Sequence, residues 1–197
     1  VTNEVRFLDA DRPTDAFKVI EPRSQGMEYS VAHHGGDFYV VTNDNAVNFK
    51  LMKTPLDQPG KANWSEVIGH RSSVKIDGVT AFAKHLVIDE RRNGLKAMRV
   101  RELDGGGEHQ VEFPEPVYAY WLGPNEEFDS QVIRFTYTSL VTPRSVFDYD
   151  METRGRELRK QDEVLGGFDA SRYQSDRITA TATDGTKVPI SLVYRKG

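Results

Sequence analysis

Short apolar stretches rich in Val, Ile, Phe, Tyr and Thr recur along this chain, and polar stretches rich in turn residues separate them. This pattern predicts β-strands. The most apolar stretches are FYVVTN from Phe38, LVIDER from Leu86 and IRFTYT from Ile133. Because they begin 48 and then 47 residues apart, the chain contains an internal repeat.

Each of these core stretches has the same kinds of neighbours in the sequence. A β-rich partner follows, from Asn48, Leu95 and Ser145. A more polar strand comes next, from Trp64, His109 and Arg156. A further strand precedes each core stretch, from Tyr29, Val74 and Val117. Four strands are therefore predicted about every 47 residues.

The sharpest turn signal is Asn93-Gly94, between LVIDER and LKAMRVREL. An Asn-Gly pair accepts the positive φ angles of a two-residue hairpin turn at little cost, so these two strands are predicted to be antiparallel neighbours. Alternation within LKAMRVREL mixes apolar and charged residues on both faces. The sequence leaves open which face of this strand is buried.

A four-stranded antiparallel unit repeated at this period is typical of a β-propeller blade, whereas the strands of a sandwich do not usually recur in fixed groups of four. EVRFLDA and AFKVIEP, at the start of the chain, resemble the last two strands of a preceding blade. The predicted fold class is therefore all-β, with about three and a half four-stranded antiparallel blades. A sandwich remains the alternative.

Composition excludes several classes of function. The net charge of −4, from 26 basic and 30 acidic residues, provides no basic stripe, so no nucleic-acid partner is expected. No apolar run approaches the ~20 residues of a membrane span, and no signal sequence is evident, so no membrane partner is expected. Zero cysteines exclude disulfides and thiolate chemistry and suit a cytoplasmic location.

Several long stretches resemble one family closely. They are FYVVTNDNAVNFKLMKTPL, the RRNGL hairpin, EEFDSQVIRFTYTSLVTPRSVFDYDMET and VLGGFDASRYQSDRITATATDGTKVPISLVYRKG. Through these stretches the chain resembles the prolyl oligopeptidase family of serine peptidases, and within that family the oligopeptidase B group. This resemblance implies a seven-bladed propeller that covers an α/β-hydrolase domain with a Ser/Asp/His triad.

The resemblance also implies a domain organisation and a set of partners. The expected segments are a partial propeller at 1–163, with a half blade at 1–23 and blades at about 28–70, 74–113 and 117–163, a linker at 164–173, and the opening strands of a truncated hydrolase domain at 174–197. The triad would lie beyond residue 197, so this chain is expected to contain no catalytic residue and to use no cofactor. Its expected partners are the remaining blades and the hydrolase domain of its own parent chain, and the parent's substrates would be short basic peptides.

The residues support the expected lack of a triad independently. A hydrolase of this type needs a nucleophilic serine in a G-x-S-x-G setting, and no serine of this sequence has it. His33 and His34 precede two glycines at a predicted hairpin tip, and the other histidines are scattered. They are interpreted as solvated turn residues, with no metal site.

Two short segments are candidate functional sites. Glu126, Glu127 and Asp129 form the densest acidic cluster and could steer basic peptides, although a charged surface loop is the simpler interpretation. Gly166 and Gly167 lie where the resemblance places a hinge between propeller and hydrolase domain. A simple linker explains the paired glycines equally well.

A second class of function is a free-standing propeller module that binds other proteins. The segment after residue 173 argues against it, because such a module has no need of a hairpin typical of a hydrolase domain. In either case an open stack of blades leaves apolar flanks uncovered. The exposed flanks predict that the chain forms homo-oligomers or aggregates.

Overall fold

The computed structural model describes all 197 residues and consists almost entirely of strands and loops. Its only helical segments are two single 3₁₀ turns, Lys61–Asn63 and Ala170–Arg172. None of its helices has the length and apolar character needed to cross a membrane. The expected all-β fold is therefore confirmed.

Sixteen strands form five sheets. A small antiparallel pair, β1 (Arg6–Phe7) with β2 (Lys18–Val19), comes first. The first four-stranded sheet consists of β3 (Tyr29–His34), β4 (Asp37–Thr42), β5 (Lys50–Pro55) and β6 (Ser65–Ile68), in that order. The second consists of β7 (Val74–Ala81), β8 (His85–Arg92), β9 (Leu95–Glu102) and β10 (Glu108–Val111).

The third four-stranded sheet repeats the same order. It consists of β11 (Tyr118–Leu122), β12 (Val132–Ser139), β13 (Ser145–Asp150) and β14 (Arg156–Gln161). A separate two-stranded hairpin, β15 (Tyr173–Thr181) with β16 (Lys187–Arg195), follows it. In every four-stranded sheet, strands that are consecutive in sequence are neighbours in space, which is the arrangement of a propeller blade.

The repeat found in the sequence is present in the structure. Strands β4, β8 and β12 occupy the second position of their sheets and begin at Asp37, His85 and Val132, which are 48 and 47 residues apart. The predicted turn between β8 and β9 is formed by Asn93, with φ of 49°, and Gly94, with φ of 78°. These angles are those of a tight hairpin turn, so β8 and β9 are neighbours as predicted.

The chain falls into two compact units, one made of residues 1–93 and 97–108, the other of residues 94–96 and 109–197. The first unit has two apolar clusters. One packs Ile20, which follows β2, against Tyr29 and Phe38 of the first four-stranded sheet. The other packs Tyr39 and Leu51 of that sheet against Leu86 of the second. Adjacent sheets of this unit are therefore held together by apolar side chains between them.

The core of the second unit is aromatic. Phe113 stacks on Tyr120 with ring centroids 5.0 Å apart and on Tyr137 at 5.5 Å, and meets Phe135 edge-on at 5.7 Å. The Arg156 guanidinium lies 5.4 Å from the Phe113 ring centroid. Aromatic contacts of this kind add stabilisation beyond the area they bury, so they anchor the connection before β11 to the third sheet.

The strand whose buried face the sequence could not assign is β9. Met98, Arg99 and Val100 are consecutive, yet all three are buried. Consecutive residues of a strand point to opposite faces, so β9 is covered on both faces at this point. This explains why its sequence shows no clean alternation.

Candidate functional site

The acidic loop, a candidate for steering peptides that is more simply interpreted as a charged surface loop, connects β11 to β12 and is fixed at its base by Asn125. The Asn125 side-chain amide donates to the carbonyl oxygens of Gly123 at 2.9 Å and Arg134 at 3.1 Å, and its Oδ1 accepts from the Arg134 backbone N–H at 2.8 Å. A Cβ at position 123 would lie 3.3 Å from the Arg134 carbonyl oxygen. The loop is thus tied closely to the start of β12.

The three acidic side chains of the loop, Glu126, Glu127 and Asp129, are exposed and form no salt bridge. Arg134, at the base of the loop, does not neutralise them, because its Nε and Nη2 each donate to Asp148 at 2.7 Å. The loop therefore carries uncompensated negative charge at the surface. Such charge can raise the local concentration of cationic ligands, and its effect weakens with ionic strength.

The linker glycines Gly166 and Gly167 both have left-handed φ angles, 87° and 84°. Two such residues in succession are tolerated at little cost only when both are glycine. Nothing lies within 4 Å of the position that a Cβ would occupy at either residue, and the neighbouring Leu165 is 90% exposed. The segment is thus unsupported by packing. Whether it acts as a hinge or only as a linker stays a prediction.

The histidines differ partly from the expectation of solvated turn residues. His33 is exposed, and one ring nitrogen lies 2.7 Å from the Gly35 carbonyl oxygen. A ring nitrogen of His109 lies 2.9 Å from the Tyr149 hydroxyl. The interpretation is wrong for His85, which starts β8 and is buried. No group of three or more His, Asp or Glu side chains is arranged so that it could hold a metal ion.

A buried carboxylate in the second sheet was missed by sequence reasoning. Glu90, on β8, is 0% exposed and accepts hydrogen bonds from three arginines. Arg71 Nη2 lies 2.5 Å from its Oε1, Arg92 Nη2 lies 2.9 Å from its Oε2, and Arg99 Nη2 lies 3.0 Å from its Oε1. Burial raises the pKa of Glu90, but the hydrogen bonds from Arg71 and Arg92 and the nearby Arg99 charge outweigh it, so the pKa ends below its ordinary value.

A second carboxylate cluster joins the connection before β11 to the third sheet. Glu115 Oε2 accepts a hydrogen bond from the Tyr137 hydroxyl, and Glu115 Oε1 accepts from the hydroxyls of Thr142 and Ser139, the latter at 3.2 Å. Burial raises the pKa of Tyr137, and the hydrogen bond to Glu115 raises it further. Tyr137 therefore stays protonated as a donor, and the cluster is structural in character.

A cleft of about 810 Å³ lies in the first unit, between the loop after β1 and the first four-stranded sheet. It is lined by Phe7 and Phe38, whose rings meet edge-on at 5.0 Å, and by Leu56. Lys18 and His33 also line it. None of the residues selected from the sequence as a steering or hinge site lines this cleft.

Residues 1–162 match the family described as prolyl oligopeptidase, N-terminal beta-propeller domain. The chain belongs to the prolyl oligopeptidase family. The family match ends just after β14 and leaves out the linker and the β15–β16 hairpin.

Relatives within the prolyl oligopeptidase family align beyond that point. Dipeptidyl aminopeptidase BI of Pseudoxanthomonas mexicana is 36% identical and Protease 2 of Moraxella lacunata is 29% identical, in each case over 100% of this chain. Two solved structures are also similar, both at 34% identity. They are oligopeptidase B from Trypanosoma brucei, in a closed form with covalently bound antipain (TM-score 0.89, 98% of this chain), and oligopeptidase B from Leishmania major (TM-score 0.88, 99%).

This chain is much shorter than its relatives in the prolyl oligopeptidase family. It covers 27% of the Pseudoxanthomonas peptidase, 28% of the Moraxella protease and 29% of each oligopeptidase B chain. The family and the propeller fold are therefore shown for this chain.

Proposed function

We propose that this chain is a non-catalytic part of the propeller of an oligopeptidase B-like serine peptidase that cleaves short peptides after basic residues. The observation that carries the proposal is the likeness to the oligopeptidase B structures, with TM-scores of 0.89 and 0.88 at 34% identity. It extends over nearly the whole chain, including the part that the propeller family match omits.

The proposed organisation is a partial propeller at 1–163, a linker at 164–173 and the opening strands of a hydrolase domain at 174–197. The end of the family match at residue 162 supports the first boundary. The hairpin β15–β16 supports the second, because it forms a sheet of its own and no strand of the propeller sheets pairs with it. A hairpin alone is marginally stable in water, so it is expected to pack against further strands.

In this proposal the propeller restricts access to an active site that it covers, so that only short, unfolded peptides reach the nucleophile. Serine and histidine residues of the chain take no part in catalysis. The peptidase is placed in the cytoplasm, which the absence of cysteine suits. The remaining blades and the hydrolase domain are its proposed partners within one polypeptide.

Peptide hydrolysis by the 197-residue chain and by its full-length gene product provides the test. Short fluorogenic peptides with arginine before the cleaved bond are compared with matched peptides carrying glutamate there. The full-length product is expected to cleave only the arginine peptides, and the chain alone is expected to cleave neither. Activity of the chain alone after rigorous purification, or cleavage of the glutamate peptides by the full-length product, would contradict the proposal.

The same peptides test whether Glu126, Glu127 and Asp129 steer substrate. Neutralising all three in the full-length product is expected to lower kcat/KM for an arginine peptide about two- to fivefold at low salt, with kcat unchanged. The difference should shrink as salt is added, because steering acts through screened charges. A matched control neutralises Asp57, Glu112 and Glu163, which are exposed acids elsewhere. An equal loss in the control would refute steering by this loop.

A further inference from the structure

The cleft of about 810 Å³ lies entirely within the first compact unit and has two walls. The β1–β2 pair and the loop after β1 form one wall, to which Phe7 and Lys18 belong. The first four-stranded sheet forms the other wall, through the β3–β4 turn, Phe38 and the segment after β5. Sites for small ligands have volumes of roughly 300–1,000 Å³, so the cleft is large enough to hold one.

Both walls contribute apolar side chains to the cleft. Phe7 and Leu8 are half-buried on one wall, and Leu56 is half-buried on the other. The rings of Phe7 and Phe38 meet edge-on at 5.0 Å, and the His33 ring lies 5.6 Å from that of Phe38. A ligand that covers half-buried apolar side chains removes their remaining surface from water, which favours binding. The cleft therefore favours a ligand with apolar side chains.

Hydrogen bonds within each wall hold the cleft in shape. The Leu56 backbone N–H donates to the Gly36 carbonyl oxygen at 2.8 Å, which ties the segment after β5 to the β3–β4 turn. In the loop after β1, Asp9 accepts from the Asp11 backbone N–H at 3.0 Å and from Arg12 Nη2 at 3.1 Å. Because the walls are ordered by their own contacts, a ligand has little ordering cost to overcome.

The charges that line the cleft are not all neutralised. Asp9 and Arg12 form a salt bridge at 3.1 Å. Lys18 and Asp57 also line the cleft, but both are exposed and neither forms a salt bridge. Lys18 lies opposite Phe7 in the β1–β2 register, so their side chains are on the same face of that pair. Asp57 belongs to the other wall, because it follows β5. One unpaired positive charge and one unpaired negative charge therefore lie on opposite walls.

We propose that this cleft is a binding site for short zwitterionic peptides with apolar side chains. Asp57 accepts hydrogen bonds from the terminal ammonium group, and Lys18 donates to the terminal carboxylate. Both termini of a free peptide are ionised at pH 7, and the peptide backbone separates them, as the cleft separates Lys18 from Asp57. A single amino acid carries both charges on one carbon atom and matches this arrangement less well. Such binding requires no peptidase activity, so it stands or falls independently of the proposed function.

Ligand-observed NMR titration of the 197-residue chain with leucyl-phenylalanine tests the site at pH 7 and low salt. This dipeptide has two free termini and two apolar side chains. A ligand of this size with exposed ion pairs is expected to bind with a Kd between about 0.1 and 1 mM. Acetylation of its amino group or amidation of its carboxyl group removes one charge. Either change is expected to raise the Kd about two- to fivefold.

Two charge-neutralising variants assign each terminus to its side chain. Lys18→Gln is expected to raise the Kd of leucyl-phenylalanine about two- to fivefold and to leave that of its amide unchanged. Asp57→Asn is expected to weaken the free dipeptide to the same degree and to leave the acetylated form unchanged. A substitution that only disturbed the fold would weaken all three peptides equally.

A third variant blocks the cleft itself. Gly36 lines it and has nothing within 4 Å of the position that a Cβ would occupy, so Gly36→Leu is expected to fill part of the cleft. The Kd should then rise more than about fivefold. Ser30→Leu is the matched control, because Ser30 is exposed on β3 and does not line the cleft. It should leave the Kd unchanged.

Three results would overturn the proposal. The first is no saturable binding of leucyl-phenylalanine to the parent chain up to about 10 mM. The second is an effect of Lys18→Gln or Asp57→Asn that is the same for the free and the capped dipeptides. The third is an equal response to Gly36→Leu and Ser30→Leu when urea unfolding shows that both variants are folded.

Discussion

Replacing Glu90 by glutamine tests the buried cluster of the second sheet. The substitution keeps the shape of the side chain and removes its charge, which leaves three guanidinium groups without their shared carboxylate. Arg99 is only 10% exposed, and its Nε already lacks a partner. Arg71 and Arg92 are 27% and 40% exposed, so water can partly replace the hydrogen bonds to Glu90 that they lose.

The expected cost follows from these exposures. Removing one partner of a fully buried ion pair costs about 3–5 kcal/mol, because the other charge is left uncompensated. Since Arg71 and Arg92 can rehydrate, and Arg99 Nη1 keeps a second carboxylate oxygen, Glu108 Oε1, at 2.6 Å, we expect a value near the lower end, about 3 kcal/mol. In a chain of this size that corresponds to a fall in Tm of roughly 6–12 °C.

Urea unfolding followed by tryptophan fluorescence measures this cost, with Asp148→Asn as the matched control. Asp148 also pairs with an arginine through two hydrogen bonds, but Arg134 is 51% exposed. Asp148→Asn is therefore expected to lower the unfolding free energy by less than about 1 kcal/mol. If Glu90→Gln shifts the unfolding midpoint no more than Asp148→Asn does, the argument that burial makes the Glu90 cluster critical is wrong.

Acid titration provides an independent check on the same residue. The pKa of Glu90 is lower in the folded protein than its ordinary value of 4.5. Its charge therefore contributes stability above about pH 4.5, and that contribution is lost as the pH falls through the folded pKa. The difference in unfolding free energy between parent and Glu90→Gln should shrink below pH 4.5. A difference that stays constant down to pH 2 would refute this assignment.

Three further predictions concern other parts of the chain. Glu115→Gln is expected to lower the unfolding free energy by about 1–2 kcal/mol. Because the pKa of Tyr137 is raised from 10.0 in the folded chain, the stabilisation that its hydrogen bond to Glu115 provides should be lost as the pH rises above about 10. Ultraviolet titration of the phenols should show one group that titrates earlier in the variant. Chymotrypsin should cut first at Leu165 or Phe168, as judged by mass spectrometry, and a first cut inside a four-stranded sheet would contradict an exposed linker. The exposed face of the third sheet, where Trp121 is 51% exposed, should drive self-association, and a clean monomer by light scattering at high concentration would argue against it.

The sequence predicts candidate sites whose residues are consecutive, but not those whose residues are distant in the chain. The acidic loop and the paired glycines were found because each lies within a few consecutive residues, and the structure places the loop at the surface and gives both glycines positive φ angles. Glu90 and Glu115 were missed for the opposite reason. Their partners lie up to 19 and 27 residues away, and nothing in the local sequence marks them as buried.

The sequence by itself determined the strands, their order within each sheet and the repeat of about 47 residues. These features depend on local side-chain preferences and on turns such as Asn93-Gly94, whose two residues are adjacent in the chain. Only the tertiary structure decided which charges are buried and that β9 is covered on both faces. Burial and pairing arise when distant segments meet, and their energies depend on distances and water exclusion that no local pattern encodes.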